Sequence, residues 1–168
     1  MSVLSIRTLP DPILRQKCKK VPGADPSIRK LINNMIETMH NANGVGLAAP
    51  QVGVSLRIVV ICLPEEDAED IILINPEIIK KSGEREIEER CLSVPGYAGM
   101  VKRAVNVTAK ARDIDFKEIR IKGDGLLAQA LEHEIEHLQG ILYVDHLVGP
   151  DKLTKVIPED SDAESQPA

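Results

Sequence analysis

Tryptophan is absent, phenylalanine occurs once and tyrosine twice, so a chain that is 43 % apolar must pack its core from leucine, isoleucine, valine and alanine. Cysteine is scarce too. Cys18, Cys62 and Cys91 form an odd set with no close pair, which argues against a disulfide framework and suits a reducing compartment. No apolar run approaches the length of a membrane span, and the start MSVLSIRTLP lacks the basic and apolar stretches of a signal peptide. A cytoplasmic protein without a membrane partner is therefore expected. Lysine and arginine never gather into a block and the net charge is −5, which argues against direct contact with nucleic acid. At 168 residues, with no internal repeat, the chain is long enough to bury one core of its own.

Asp11-Pro12 and Asp25-Pro26 each read as a helix N-cap followed by proline in the first turn. After the second, Ile28, Leu31, Ile32, Met35, Ile36 and Met39 recur at helical spacing until NANG at 41–44 stops them. GVGLAAPQVG at 44–53 is too rich in glycine for a regular element and too apolar for a solvated loop, which predicts a buried irregular segment. Strands are expected in LRIVVICL (56–63), IILINPEII (71–79), VKRAVNVTAKARD (101–113) and KEIRIK (117–122). Asp124 is expected to cap a helix from Gly125 to about Gln139, stopped by Gly140, after which ILYVDHL extends once more. From Gly149 the chain is acidic and aperiodic, so a catalytic domain over 1–148 and a disordered tail over 149–168 are expected.

The helix at 125–139 contains LEHEIEHLQG. At about 100° per residue, His133, His137, Leu126 and Ala130 share one stripe, with Leu127, Leu131, Leu138 and Ile135 beside it. Glu134 falls inside that apolar arc, whereas Glu132 and Glu136 fall on the opposite side. A carboxylate on a buried face is costly unless something compensates it, and a metal ion with its bound water would do so. Two histidines four apart with this glutamate are the arrangement of helical zinc hydrolases, in which the glutamate is the general base.

Two histidines need a third ligand. The downstream positions used by metalloproteases hold Tyr143, or fall on Glu159 and Glu164 in the acidic tail. Upstream, His40 sits at the margin of an amphipathic helix, Cys18 lies between lysines in the first helix and Cys62 lies in an apolar strand. Those settings suit structural residues. Cys91 lies in a loop between charged residues and a proline, and its thiolate would complete an open Cys, His, His site.

Three segments in this order, GVGLAAPQ at 44–51, ERCLS at 89–93 and HEIEH at 133–137, resemble the peptide deformylases from the N-terminus to about Leu147. The resemblance implies an α+β fold with mixed or antiparallel sheets around the central motif helix. It implies a hydrolase that removes the formyl group from N-formylmethionyl nascent polypeptides. Cys91, His133 and His137 would hold one divalent metal, Fe(II) in the cell, with zinc or nickel able to take the same ligands. Glu134 would be the general acid/base. Gln51 and the backbone N–H of Leu92 would donate to the oxyanion, and Gly46 would contact the substrate backbone. Val45, Ile87, Leu126, Gln129 and Ala130 would form the methionine pocket.

Two departures stand out. The family has glycine where Arg90 stands, so arginine either strains a loop that needs positive φ, lowering efficiency, or pairs with Glu88 or Glu89 at the surface. The basic C-terminal helix with which many bacterial members dock on the ribosome is replaced by an acidic tail. The competing readings are a metalloendopeptidase and a non-catalytic relative that binds metal and formylated peptides without turnover.

Overall fold

A computed structural model describes residues 2–156. Four consecutive β-branched residues, Ile58–Ile61 (β2), are buried along their whole length. The run can be apolar throughout because strands flank it on both sides: Gly46–Ala48 (β1) and Ile71–Ser82 (β3). Asn106–Arg112 (β6) and Glu118–Asp124 (β7) extend the sheet in the order β1-β2-β3-β6-β7, every ladder antiparallel. Val107, Ala109 and Ala111 of β6 point into the core while their neighbours face outward, the alternation of a sheet with one wet face. A second, three-stranded antiparallel sheet runs Arg85–Glu89 (β4), Tyr97–Arg103 (β5), Leu153–Lys155 (β8), with β5 in the middle.

Two helices complete this α+β architecture. Asp25 caps Pro26–Asn41 (α1) by accepting the Ile28 N–H at 3.1 Å. Its Ile28, Ile32, Met35 and Met39 cover the apolar side of β1 and β2. Gly125–His137 (α2) packs against β1, β3, β6 and β7 of the large sheet and also against β5 of the small one. It is thus enclosed, and every residue from Ala128 to Ile135 is buried.

Several expectations are corrected. Asp11 accepts from the Ile13 N–H, but Pro12–Arg15 is a single 3-10 turn, and Cys18 lies beyond it with its N–H bonded to Leu138 O. GVGLAAPQVG is buried as foreseen, yet it is regular: β1 runs directly into a 3-10 turn at Ala49–Val52. The stretch 101–113 divides between the two sheets at Ala104, whose N–H is taken by Glu132 Oε1 at 2.6 Å instead of by a strand. Asp124 stands at the N-cap of α2 without a capping bond from its side chain; it stays in register opposite Asn106 in β7. ILYVDHL turns instead of extending, because Asp145 accepts the Leu142 N–H at 3.1 Å and closes a 3-10 turn at Tyr143–His146.

The small sheet also moves the expected boundary at 148. Leu153–Lys155 pairs with Tyr97–Gly99, and Leu153 packs on the core beside Leu147. Residues 157–168, the rest of the expected tail, lie outside the described residues.

Candidate metal centre

Cys91 follows the end of β4, in a loop held by Val94 N–H to Cys91 O at 3.0 Å. Its thiol is buried and meets the two α2 histidines. Cys91 Sγ lies 3.5 Å from His137 Nε2, and His137 Nε2 lies 3.3 Å from His133 Nε2. An ion bound tetrahedrally at about 2.0–2.3 Å separates its ligands by about 3.3–3.8 Å. These atoms therefore already stand at the spacing that one ion requires.

The charges around them call for a cation. Glu89 Oε1 is 2.5 Å from His133 Nδ1, and Glu134 Oε2 is 4.0 Å from His133 Nε2, with both carboxylates inaccessible to water. Burial opposes a charge on His133, but Glu134 and Glu89 outweigh it and raise its pKa well above the ordinary value. Positive charge is thus held at this point. Because the Glu89 carboxylate accepts from Nδ1, the proton of a neutral His133 sits there and the Nε2 lone pair faces Cys91 and His137. The residues present fit a divalent ion.

Glu89 is held in turn. Arg103 donates to it through Nε at 2.7 Å and Nη2 at 2.6 Å, the fork-to-fork pairing of guanidinium and carboxylate. Burial works against the charge on Glu89, yet His133 and Arg103 bring its pKa down to about 2. Arg103 also pairs with Glu136, which pairs with His146. Glu132 and Glu136 lie on the side of the helix away from the histidine stripe, and there Arg103, at the end of β5, and the N–H of Ala104 just beyond it are their partners. Tyr143 lies under the metal centre, its ring stacked on His133 with centroids 6.3 Å apart at 22°.

The glycine-rich segment supplies the other wall. Gln51 is fully buried; its Oε1 accepts from Ala48 N–H at 3.0 Å, which turns its Nε2 toward Ser93 Oγ at 3.1 Å and Cys91 Sγ at 3.7 Å. Two backbone bonds from the N-terminal segment, Arg7 N–H to Gln51 O at 2.7 Å and Leu9 N–H to Ser93 O at 2.9 Å, strap this wall to the Cys91 loop. Gly46 faces Glu134 so closely that a Cβ would stand 2.6 Å from Oε2 and 2.8 Å from Cγ. Gly46→Ala must therefore displace the carboxylate, and kcat is expected to fall on the order of 10²-fold, as when a reacting group is misplaced by about 1 Å. Undiminished kcat in that variant would show that the carboxylate position is not critical.

Residues 3–153 match the family model for polypeptide deformylases. The chain belongs to the polypeptide deformylase family. It is 58 % identical over 160 residues to the peptide deformylase of Dehalococcoides mccartyi, covering 95 % of each chain. Among solved structures, the peptide deformylase of Legionella pneumophila superposes with a TM-score of 0.85 at 50 % identity, over 89 % of this chain and 88 % of that one. The peptide deformylase of Ehrlichia chaffeensis, solved in complex with actinonin, gives a TM-score of 0.85 at 43 % identity, over 88 % and 90 %.

The five residues expected to line a methionine pocket of this family are dispersed over two packed clusters. Val45 and Ala130 are fully buried in the cluster around α2, with Leu126 at its margin, and Ile87 packs instead beside Cys91 and Tyr143. Gln129 bridges to β4, its Nε2 3.4 Å from Glu89 Oε2. Leu92, whose N–H was assigned to the oxyanion, follows Cys91 directly and sets its side chain against Gly44.

Arg90, the departure from the family pattern, is not among the positive-φ residues. Its Nη2 lies 3.7 Å from Glu88 Oε1 with both side chains well exposed. Such a pair contributes little, and the backbone carries none of the strain that would have lowered efficiency. Arg90→Gly is accordingly expected to leave kcat/KM for a formyl-methionyl peptide within about twofold. A clear rise in kcat/KM would mean that the side chain itself obstructs the site.

Sequence reasoning did not find Glu89, Arg103, Ser93 or the stacking of Tyr143. Glu89 had one visible signal: it alternates with Ile87 along EIEE, so the two share one face of a strand.

Proposed function

We propose that this chain hydrolyses the formamide of N-formylmethionyl nascent polypeptides, releasing formate and a free N-terminal amine. Membership of a metal-dependent family supports the reaction. The observation that carries the residue assignment is the water-inaccessible Glu134 carboxylate beside the converged Cys91, His133 and His137 donors.

In this reading Cys91, His133 and His137 hold one divalent ion. Two imidazoles and a thiolate accept Fe(II), Ni(II) or Zn(II), and Fe(II) is assigned in the cell. When bound, the ion supplies a Lewis acid and an activated water.

The chain's own groups do the rest. Glu134 takes the proton of the attacking water and returns it to the departing amine nitrogen. Gln51 Nε2 and the Leu92 N–H donate to the oxygen on which negative charge develops, and the Ala48 N–H that fixes Gln51 Oε1 pre-sets this direction. β1 is the edge strand of its sheet among the described residues, so an extended peptide pairs along Gly46 and presents its first residue to the centre. Val45, Ile87, Leu126, Gln129 and Ala130, though divided between two packed clusters, are assigned to the methionine side chain.

No helix among the described residues is long and apolar enough to cross a membrane, and the reaction is assigned to the cytoplasm, where chains are made. Neither alternative is favoured. Among the described residues no downstream ligand of the kind a metalloendopeptidase uses joins the two histidines, and a non-catalytic binder has no use for a buried acid/base. The test is anaerobic incubation of the iron-loaded chain with formyl-Met-Ala-Ser and, separately, with an internal peptide. Formate release from the first alone supports the proposal; cleavage of the internal peptide, or no formate, overturns it.

A further inference from the structure

A second convergence of metal-ligating atoms lies away from this centre. His40 stands in the last turn of α1, Cys62 directly after β2 and Asp70 directly before β3. His40 Nε2 is 2.7 Å from Asp70 Oδ1, and the Cys62 Sγ joins them so that all three ligand atoms lie within 4.8 Å of one another. His40 is exposed at the end of α1 and Cys62 packs against the core around α1, as the sequence suggests, but neither reading foresees that the two meet. Cys62 is half-buried, and its thiol makes long contacts with two backbone oxygens, Leu63 O at 3.8 Å and Ala68 O at 3.7 Å, beside the Asp70 carboxylate.

We infer that His40, Cys62 and Asp70 form a second divalent-metal site, of zinc-like preference. An imidazole nitrogen, a thiolate and a carboxylate oxygen are the three donor types that zinc takes, and three protein ligands leave a fourth position for water. Binding replaces the His40–Asp70 hydrogen bond and releases the Cys62 thiol proton to solvent, so the charge introduced by the ion is met by a thiolate and a carboxylate. The intervening turn PEEDAED adds Glu65, Glu66, Asp67 and Glu69, which favour a cation over an anion there.

The site ties the end of α1 to the paired strands β2 and β3, and β2 leads to the substrate wall. Cys62 N–H donates to Val45 O at 2.8 Å, and Ile61 pairs with Gly46. An ion at Cys62 thus braces β1 from behind. Because its donors are partly exposed, it exchanges with solvent metal more readily than an ion at Cys91.

The test uses the full chain loaded with nickel at the Cys91 centre and equilibrated with micromolar free zinc. One zinc per chain beyond the retained nickel is expected, with a higher Tm and protection of Cys62 from alkylation. His40→Ala and Cys62→Ser should each reduce that zinc to none and abolish the rise in Tm while formate release is unchanged. His40 is exposed, so its variant keeps the test sound even if Cys62→Ser folds poorly. No additional zinc in the unmodified chain, or full additional zinc in His40→Ala, overturns the inference. Formate release reports on the Cys91 centre and zinc stoichiometry on this one, so the two readings fail separately.

Discussion

Glu134→Gln is expected to lower formate release by about 10²–10⁴-fold, the usual contribution of a positioned acid/base, with metal content and Tm nearly unchanged. Glutamine keeps the volume of the side chain in a position with no spare room, since Gly46 already lacks the Cβ that would collide with it. It removes the capacity to carry a proton. Glu89 is clasped by Arg103, whereas Glu134 faces the converged donors, its Oε2 4.0 Å from His133 Nε2. That difference separates a carboxylate that works from one that positions. Turnover within tenfold of the unmodified chain, measured on metal-replete protein, would sink the assignment. So would equal loss of metal and activity, which would make Glu134 a structural group.

Cys91→Ala should abolish both the catalytic metal and formate release, because alanine leaves only two imidazoles on one helix face to hold the ion. Cys18→Ala and Cys62→Ala should retain both. Cys18 sits across the core, where burial raises its thiol pKa and its backbone N–H is already engaged by Leu138 O. Stoichiometric catalytic metal in Cys91→Ala, measured after chelation and reloading, would contradict the three-ligand centre. Loss of formate release in Cys62→Ala would instead place the catalytic ion elsewhere.

The parts of this molecule that were legible in the sequence are those specified by near neighbours. The α1 start at Asp25-Pro26, the β-branched run of β2 and the HEIEH stripe each depend on residues within one or two turns. The meeting of Cys91 with the two histidines was legible by elimination, because the loop around Cys91 offered no other reason for a thiol. What the local pattern missed depends on distant partners. REIEE looks like a solvated charge run, yet it is β4, and Glu89 can be buried only because Arg103 and His133 come to it from far along the chain. Glu136 reads as a surface residue for the same reason. The division of 101–113 at Ala104 is another case, since the backbone bond that ends the strand is to Glu132 on the motif helix. The acidic tail hid β8 because a three-residue edge strand needs only one apolar anchor, Leu153.

Tyr143 has a use that does not depend on its packing. With tryptophan absent, the ultraviolet emission of the chain comes from two tyrosines. Tyr97 is 41 % exposed and far more open to solvent than Tyr143, whose ring lies against His133. If that imidazole holds the ion as proposed, open-shell Fe(II) is expected to quench the Tyr143 ring and closed-shell, d¹⁰ zinc to leave it emitting. Tyrosine emission would then report in solution, without any added dye, whether the proposed site holds iron or zinc.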